Sequence, residues 1–406
     1  MGAKKTLPQN LKGFRDFLPE AARKRQWLKD KLTAIFEFWG YEPLETPTLE
    51  SLELFKGQIG EEEKLFFNFK DAGGRSVALR YDQTVPACRV IAQYLNNPIT
   101  LPFKRYQIQP AFRAEKPQKG RYREFLQADA DIFGVSSPLA DAEAIALSLD
   151  IYKQLGFTNA KVLINDRQLL KDLPYKAIVA IDKLKKIGEE GVIATMVNQG
   201  IDKSSAEEYL NVVKNLKPND AINLILNYLK AQGFDANWYA FDPTIARSFS
   251  YSSGPIWEVV VEGFTAGSVL GGERFDNLIN QISGLDIPAT GFAVGFDRTL
   301  EAAEQFGLVP AEISNKRLLV TLFNPESVTL AVKTAQALRK AGISTEVYPD
   351  ESAKLEKQLK YADQKKIGYV LIAGPEEVAK DMVTLKDMKA KTQETLALDA
   401  VIKKLQ

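Results

Sequence analysis

The chain has 406 residues, 53 Lys and Arg against 52 Asp and Glu, and 45% of its residues are hydrophobic. That is enough apolar material for two or three domain cores, and no apolar run approaches the roughly 20 residues that cross a bilayer. Cys88 is the only cysteine and histidine is absent. This excludes an internal disulfide, cysteine-built metal sites and every mechanism that needs an imidazole. With no apolar core of a secretory signal near Met1–Pro8, the expectation is a soluble, cytoplasmic protein without membrane contact.

In chain order, Trp27, Leu28, Leu32, Ile35, Phe36 and Trp39 form a helical stripe over 21–39. Tyr41–Pro47, with two prolines, reads as extended. Lys64–Lys70 reads as a strand, Asp71–Gly74 as a turn and Val77–Tyr81 as the hairpin partner. Residues 101–134 read as two strands around a charged loop, 139–156 as a helix and Ala160–Asn165 as a strand. Helical periods then dominate 167–235, which is expected to be an insertion with its own core. Strand character returns at Trp238–Asp242, Ile256–Glu262 and Gly291–Gly295, while Gly271-Gly272 reads as a turn. From 316 onward strands alternate with helices, which predicts a small α/β domain.

The chemistry is concentrated in four segments. Residues 104–123 carry Lys104, Arg105, Arg113, Lys116, Lys119, Arg121 and Arg123 against a single acid, Glu115. A hairpin of this kind can direct guanidinium groups onto phosphate oxygens from both sides, and Phe125 beyond Gly120 could offer a flat face to a base. A solvated basic surface is the simpler alternative. Further along come Ile245–Pro255 with Arg247 and Tyr251, then Gly267–Asp276. Last comes Ala289–Arg298, whose Gly291 and Gly295 lie on one side of a strand and leave bare backbone for a ligand.

Taken in this order, the segments resemble the class II aminoacyl-tRNA synthetases, in particular the histidyl-tRNA synthetases. FRAEKPQKGRYREFLQADAD resembles their motif 2, ATGFAVGFDR their motif 3, and YEPLETP the end of motif 1. LRYDQT resembles the segment that holds the amino group, and ARSFSYSSGPIWE and GGERFD resemble the two histidine-specific motifs. The resemblance implies an α+β catalytic domain with an antiparallel sheet over 1–166 and 236–310. It also implies a helical insertion at 167–235 and an anticodon-binding α/β domain at 316–406.

It further implies an ATP-dependent ligase that forms histidyl-adenylate and transfers histidine to the 3′ end of tRNA(His), as a homodimer and with Mg2+ accompanying ATP. Carried over residue by residue, Arg113 and Arg247 are the catalytic cations. Arg113, Glu115, Arg121, Phe125, Gly295 and Arg298 hold ATP. Asp82, Thr84, Gln127, Asp131, Tyr251, Ser252 and Phe275 hold the amino acid. No dedicated metal site is named. Ser252 and Phe275 stand where the family places tyrosines, so the alternative is a pocket variant for another amino acid or a regulatory paralogue that charges no tRNA.

Overall fold

The computed structural model describes residues 7–57, 65–117, 121–247, 251–311, 317–374, 377 and 379–406. The chain divides into two units. One is built on Leu28–Leu308 together with the segment ending at Phe17, the other on Val309–Gln406 together with Leu18–Trp27.

The first unit takes α1 (Pro19–Phe38) from Leu28 onward, where Leu28, Leu32, Ile35 and Phe36 are all buried, as their spacing predicts. After β1 (Glu42–Pro43) comes a small sheet of β2 (Leu49–Ser51), β3 (Asn68–Lys70) and β4 (Ser76–Leu79), then α2 (Thr84–Tyr94). β5 (Phe103–Phe112) and β6 (Glu124–Phe133) form a long antiparallel hairpin, followed by α3 (Pro138–Gln154) and β7 (Ala160–Asp166). Lys119 and Gly120 of its loop lie outside the described residues.

The helical stretch comprises α4 (Tyr175–Ile181), α5 (Leu184–Asn198), α6 (Lys203–Lys214) and α7 (Asp220–Ala231). Leu170, Ile178, Val192, Met196, Ala206 and Val213 give the first three a core of their own. α7 instead packs on α3 and on β7, so the last helix of this stretch belongs with the sheet.

The unit closes with β8 (Tyr239–Phe241), β9 (Pro255–Val261), β10 (Leu270–Arg274), α8 (Leu278–Ser283), β11 (Ala289–Gly295) and α9 (Phe296–Gln305). The result is one eight-stranded sheet in the order β1-β5-β6-β11-β10-β9-β7-β8, antiparallel except at its two outer pairs. The pair Gly271-Gly272, expected as a turn, is the middle of β10. Both glycines answer to packing rather than to chain reversal. A Cβ at Gly272 would come 2.1 Å from the Trp257 ring, and one at Gly271 would come 2.0 Å from Arg247 Nη1.

Period two assigns the sheet two faces. Tyr106, Ala130, Phe292, Gly272 and Trp257 share the one covered by helices. There Phe36 stacks on Tyr106 at 5.2 Å, and Trp257 Nε1 donates to Ser148 of α3. The other face is polar. Its rungs read Arg105–Asp131–Gly291–Glu273 and Gln107–Asp129–Ala293–Gly271 across β5, β6, β11 and β10. One further rung, Phe103–Phe133–Ala289, leads into an apolar cluster with Val85, Ile91, Tyr251 and Phe275 that closes this face at one end.

The second unit holds a mixed five-stranded sheet. β12 (Arg317–Val320) lies parallel to β13 (Ser344–Val347) and to β14 (Tyr369–Ile372), and β15 (Val383–Asp387) and β16 (Thr392–Leu396) continue it antiparallel. α10 (Val328–Lys340), α11 (Leu355–Gln364) and α12 (Leu398–Leu405) complete the expected α/β alternation. Alternate residues of β12 serve separate cores. Leu318 and Val320 pack with Ala335, Leu338 and Val401, and Leu319 packs with Tyr348, Ala362 and Val370.

Candidate active site

On the polar face of the large sheet lies a cleft of about 880 Å³, bounded by Asp82, Thr84, Arg113, Gln127, Asp131, Arg247, Tyr251, Gly271, Glu273, Phe275, Gly291, Gly295 and Arg298 among others. A second hollow shares Arg113, Gln127, Gly295 and Arg298 with it and adds Glu115, Arg121, Tyr122 and Phe125. The side chains come from the start of α2, the β5–β6 hairpin, the segment before β9, β10, β11 and the first turn of α9. Every site residue nominated from the sequence lies on one of these walls except Ser252. That residue is buried behind the wall, where its hydroxyl donates to Glu273.

The arginines form a cationic end. Arg113 donates to the Tyr81 carbonyl at 3.4 Å and lies over the rings of Tyr81 at 4.2 Å and Phe125 at 5.2 Å. Phe125 is therefore already stacked against a cation, on the wall of the second hollow. Arg121 pairs with Glu115 at 3.3 Å, and Arg298 donates to the Ser268 carbonyl at 3.0 Å. Burial, with the nearby Arg121 and Arg113 charges, pulls the Arg298 pKa down. Three guanidinium groups close enough to repel one another make a hole shaped for a polyanion. The N-terminal segment braces this end. Arg15 sits 3.2 Å from the Tyr122 ring centroid and pairs with Asp297 at 3.1 Å.

Carboxylates gather at the other end. Asp82, just ahead of α2, accepts from the Val85 amide at 3.1 Å, and burial raises its pKa. Asp131 forms a fully buried ion pair with Arg105, yet burial outweighs that cation and pushes its carboxyl up to about 6. Gly291 makes room for it, since a Cβ there would lie 1.9 Å from Asp131 Oδ1. The bare backbone expected to face a ligand is thus occupied first by an acid. Gln127, 8% exposed, has an amide oxygen with no hydrogen-bond partner among the described residues. Tyr251 and Phe275 pack edge to face at 6.4 Å and seal the bottom.

Two readings of the basic stretch need correction. Arg105 is fully buried against Asp131, and Lys104 is tied to Glu143, so neither can reach a phosphate. Residues 248–250, between Arg247 and Tyr251, lie outside the described residues. The residue that sequence reasoning missed is Glu273, which lines the cleft and pairs with Arg247 at 3.2 Å. Its only signal was an acid directly after two glycines. Among the described residues no group of three or more acidic or thiol side chains is placed to hold a metal.

An antiparallel sheet that sets arginines from three distant segments opposite an acidic end is the catalytic arrangement of a class II aminoacyl-tRNA synthetase. The family described as histidyl-tRNA synthetase matches residues 13–299, and the anticodon binding domain matches residues 315–406. The chain is 35% identical to the histidine–tRNA ligase of Gloeobacter violaceus, with 95% of this chain and 96% of that one aligned. It is 37% identical to that of Korarchaeum cryptofilum over 92% and 93%. The crystal structure of histidyl-tRNA synthetase from Nostoc sp. superposes with a TM-score of 0.83 at 25% identity, covering 99% of both chains. The chain belongs to the histidyl-tRNA synthetase family.

Proposed function

We infer that this chain is a histidine–tRNA ligase, an ATP-dependent enzyme that activates histidine and transfers it to tRNA(His). The convergence of Arg113, Arg247 and Arg298 on one cleft, opposite Asp82 and Asp131, carries this reading. In the first step an oxygen of the histidine carboxylate attacks the α-phosphorus of ATP. The bond to the bridging oxygen breaks, pyrophosphate leaves with that electron pair, and histidyl-adenylate remains. In the second step a hydroxyl at the tRNA 3′ end attacks the acyl carbon and AMP leaves.

Neither step needs a protein nucleophile, which suits a chain without histidine. The protein's task is to align the carboxylate with the phosphorus and to neutralise charge as it builds there. Arg113 and Arg247 would meet the α-phosphate, Arg121 and Arg298 the outer phosphates, and Phe125 the adenine, with Glu115 beside it and Gly295 beneath. Asp82, Thr84 and Gln127 would hold the ammonium and carboxylate of histidine, and Asp131 its ring, with Tyr251 and Phe275 as the pocket floor. Mg2+ would arrive bound to the triphosphate as part of the substrate.

Residues 1–166 and 236–310, with α7 of the intervening stretch packed onto them, would form the catalytic domain, the rest of 167–235 the insertion and 316–406 the anticodon-reading domain. Homodimeric assembly and a cytoplasmic location complete the proposal. No described helix is long and apolar enough to cross a membrane. The test is ATP–pyrophosphate exchange across all amino acids. Exchange stimulated by histidine alone is the expected result, and background exchange with histidine would remove the reading.

A further inference from the structure

Arg247, Glu273 and Ser252 form a connected chain in the cleft wall. Glu273 accepts from Arg247 Nη2 on Oε1 at 3.2 Å and from Ser252 Oγ on Oε2. Its side chain is 8% exposed and that of Arg247 16%, so water screens the pair little. Among the acids that act on Arg247, Glu273 is foremost, ahead of Glu258 on the neighbouring strand. Both oxygens of Glu273 are thereby engaged, and the carboxylate is fixed in direction as well as place.

Arg247 needs such fixing. It carries a φ of 41°, a left-handed value that residues with a side chain rarely adopt, and it emerges from a loop rather than a strand. Its guanidinium crosses Gly271, where any Cβ would meet it. Glu273 lies two residues further along the same rigid strand, flanked by β9 and β11. The flexible end of a loop-borne cation is thus anchored to the centre of the sheet.

We propose that Glu273 is the positioning residue for Arg247, holding its guanidinium at the place where the α-phosphate reacts, with Ser252 fixing the carboxylate from behind. This rests on the assignment of Arg247 as a catalytic cation, and it adds that the cation is effective only while Glu273 holds it.

The experiment is a double-mutant cycle on the full chain, read by histidine-dependent ATP–pyrophosphate exchange. Glu273→Gln keeps the shape and removes the charge. It should lower kcat by roughly 10²-fold, the effect of a misplacement of about 1 Å, while KM for ATP and for histidine changes little. In an Arg247→Ala background the same substitution should cost nothing further, because the residue it positions is gone. It should also raise the melting temperature of Arg247→Ala, since that variant leaves Glu273 buried without its cation.

Where Arg247→Ala does not fold, Arg247→Lys serves as the background with the same expectation. A wild-type kcat in Glu273→Gln, or losses that multiply in the double variant, would overturn the proposal. Wild-type exchange in Arg247→Ala would instead remove the role of Arg247 itself.

Discussion

Arg105 and Asp131 are direct partners across the β5–β6 hairpin and form an ion pair with both side chains almost wholly out of water. Arg105 also donates to the Gln107 side chain at 3.2 Å, a neutral partner that does not replace a carboxylate. Removing one partner of such a pair leaves a buried charge and costs about 3–5 kcal/mol. Arg105→Leu should therefore lower the unfolding free energy by that amount in urea denaturation, although Arg105 touches no substrate in the reaction described above. A loss under about 1 kcal/mol would place the pair among ordinary surface bridges.

The same carboxylate gives the enzyme a pH limb. Burial raises Asp131 to about 6. Between the usual carboxylate range and that value the native chain keeps a proton that the unfolded chain releases. This group's contribution to stability therefore falls as pH rises through the window. Activity runs the other way, because the ionised carboxylate accepts a hydrogen bond from a ring N–H and its protonated form is a much poorer acceptor. kcat/KM for histidine should fall as pH drops below about 6, and Asp131→Asn should flatten that limb. KM for ATP should stay level over the same range.

Arg113 faces the position assigned to the reacting phosphate and has no carboxylate within salt-bridge distance among its described contacts. Arg113→Ala should reduce kcat for exchange by roughly 10²–10³-fold, the range found when one donor to a developing oxyanion is removed. Arg121→Ala, half exposed and already paired with Glu115, should act mainly on KM for ATP. Steady-state kinetics of the two variants side by side would test this division.

Gly291 and Gly272 should respond differently to the same added methyl group. At Gly272 it meets the Trp257 ring, and overpacking of this kind costs about 1–3 kcal/mol, visible as a lower melting temperature. At Gly291 it meets the Asp131 carboxylate and, at 2.5 Å, the Ala130 carbonyl, so Gly291→Ala should raise KM for histidine as well as lower the melting temperature, whereas Gly272→Ala should leave that KM unchanged. Equal effects of the two on stability and on KM would contradict the assignment of the two faces.

Salt should separate the two ligands. Binding of tRNA displaces many counterions, so its affinity should fall steeply between 50 and 200 mM salt, by about 10³-fold for six phosphate contacts. ATP binding should fall far less. Filter binding and nucleotide titration over one salt series would show it.

Most of the secondary structure was legible because it follows from period alone. The stripe from Trp27 to Trp39, the Gln127–Asp129–Asp131 alternation and the strand–helix order after residue 316 each mark one element. β10 was hidden because Gly271-Gly272 carries the residue types of a turn. Only the positions of Trp257 and Arg247, supplied by other strands and loops, explain glycines there. All the nominated site residues except Ser252 line the two hollows, since motif order brings distant segments to one face. What the chain order could not disclose was which charges neutralise each other before any substrate arrives. Arg105 looked like a phosphate ligand and is a counter-ion, and Glu273 looked like nothing in particular and holds Arg247.

Gly271 and Gly272 are adjacent in the chain yet answer to opposite sides of the sheet, one to a guanidinium and one to an indole. Neither can grow unless its own cross-strand tenant shrinks. Replacement at 272 should therefore occur only together with replacement at 257, whereas 271 is held to glycine by a cation the reaction needs. A combinatorial library randomised at 257, 271 and 272 and selected for activity should return matched 257–272 pairs and glycine at 271.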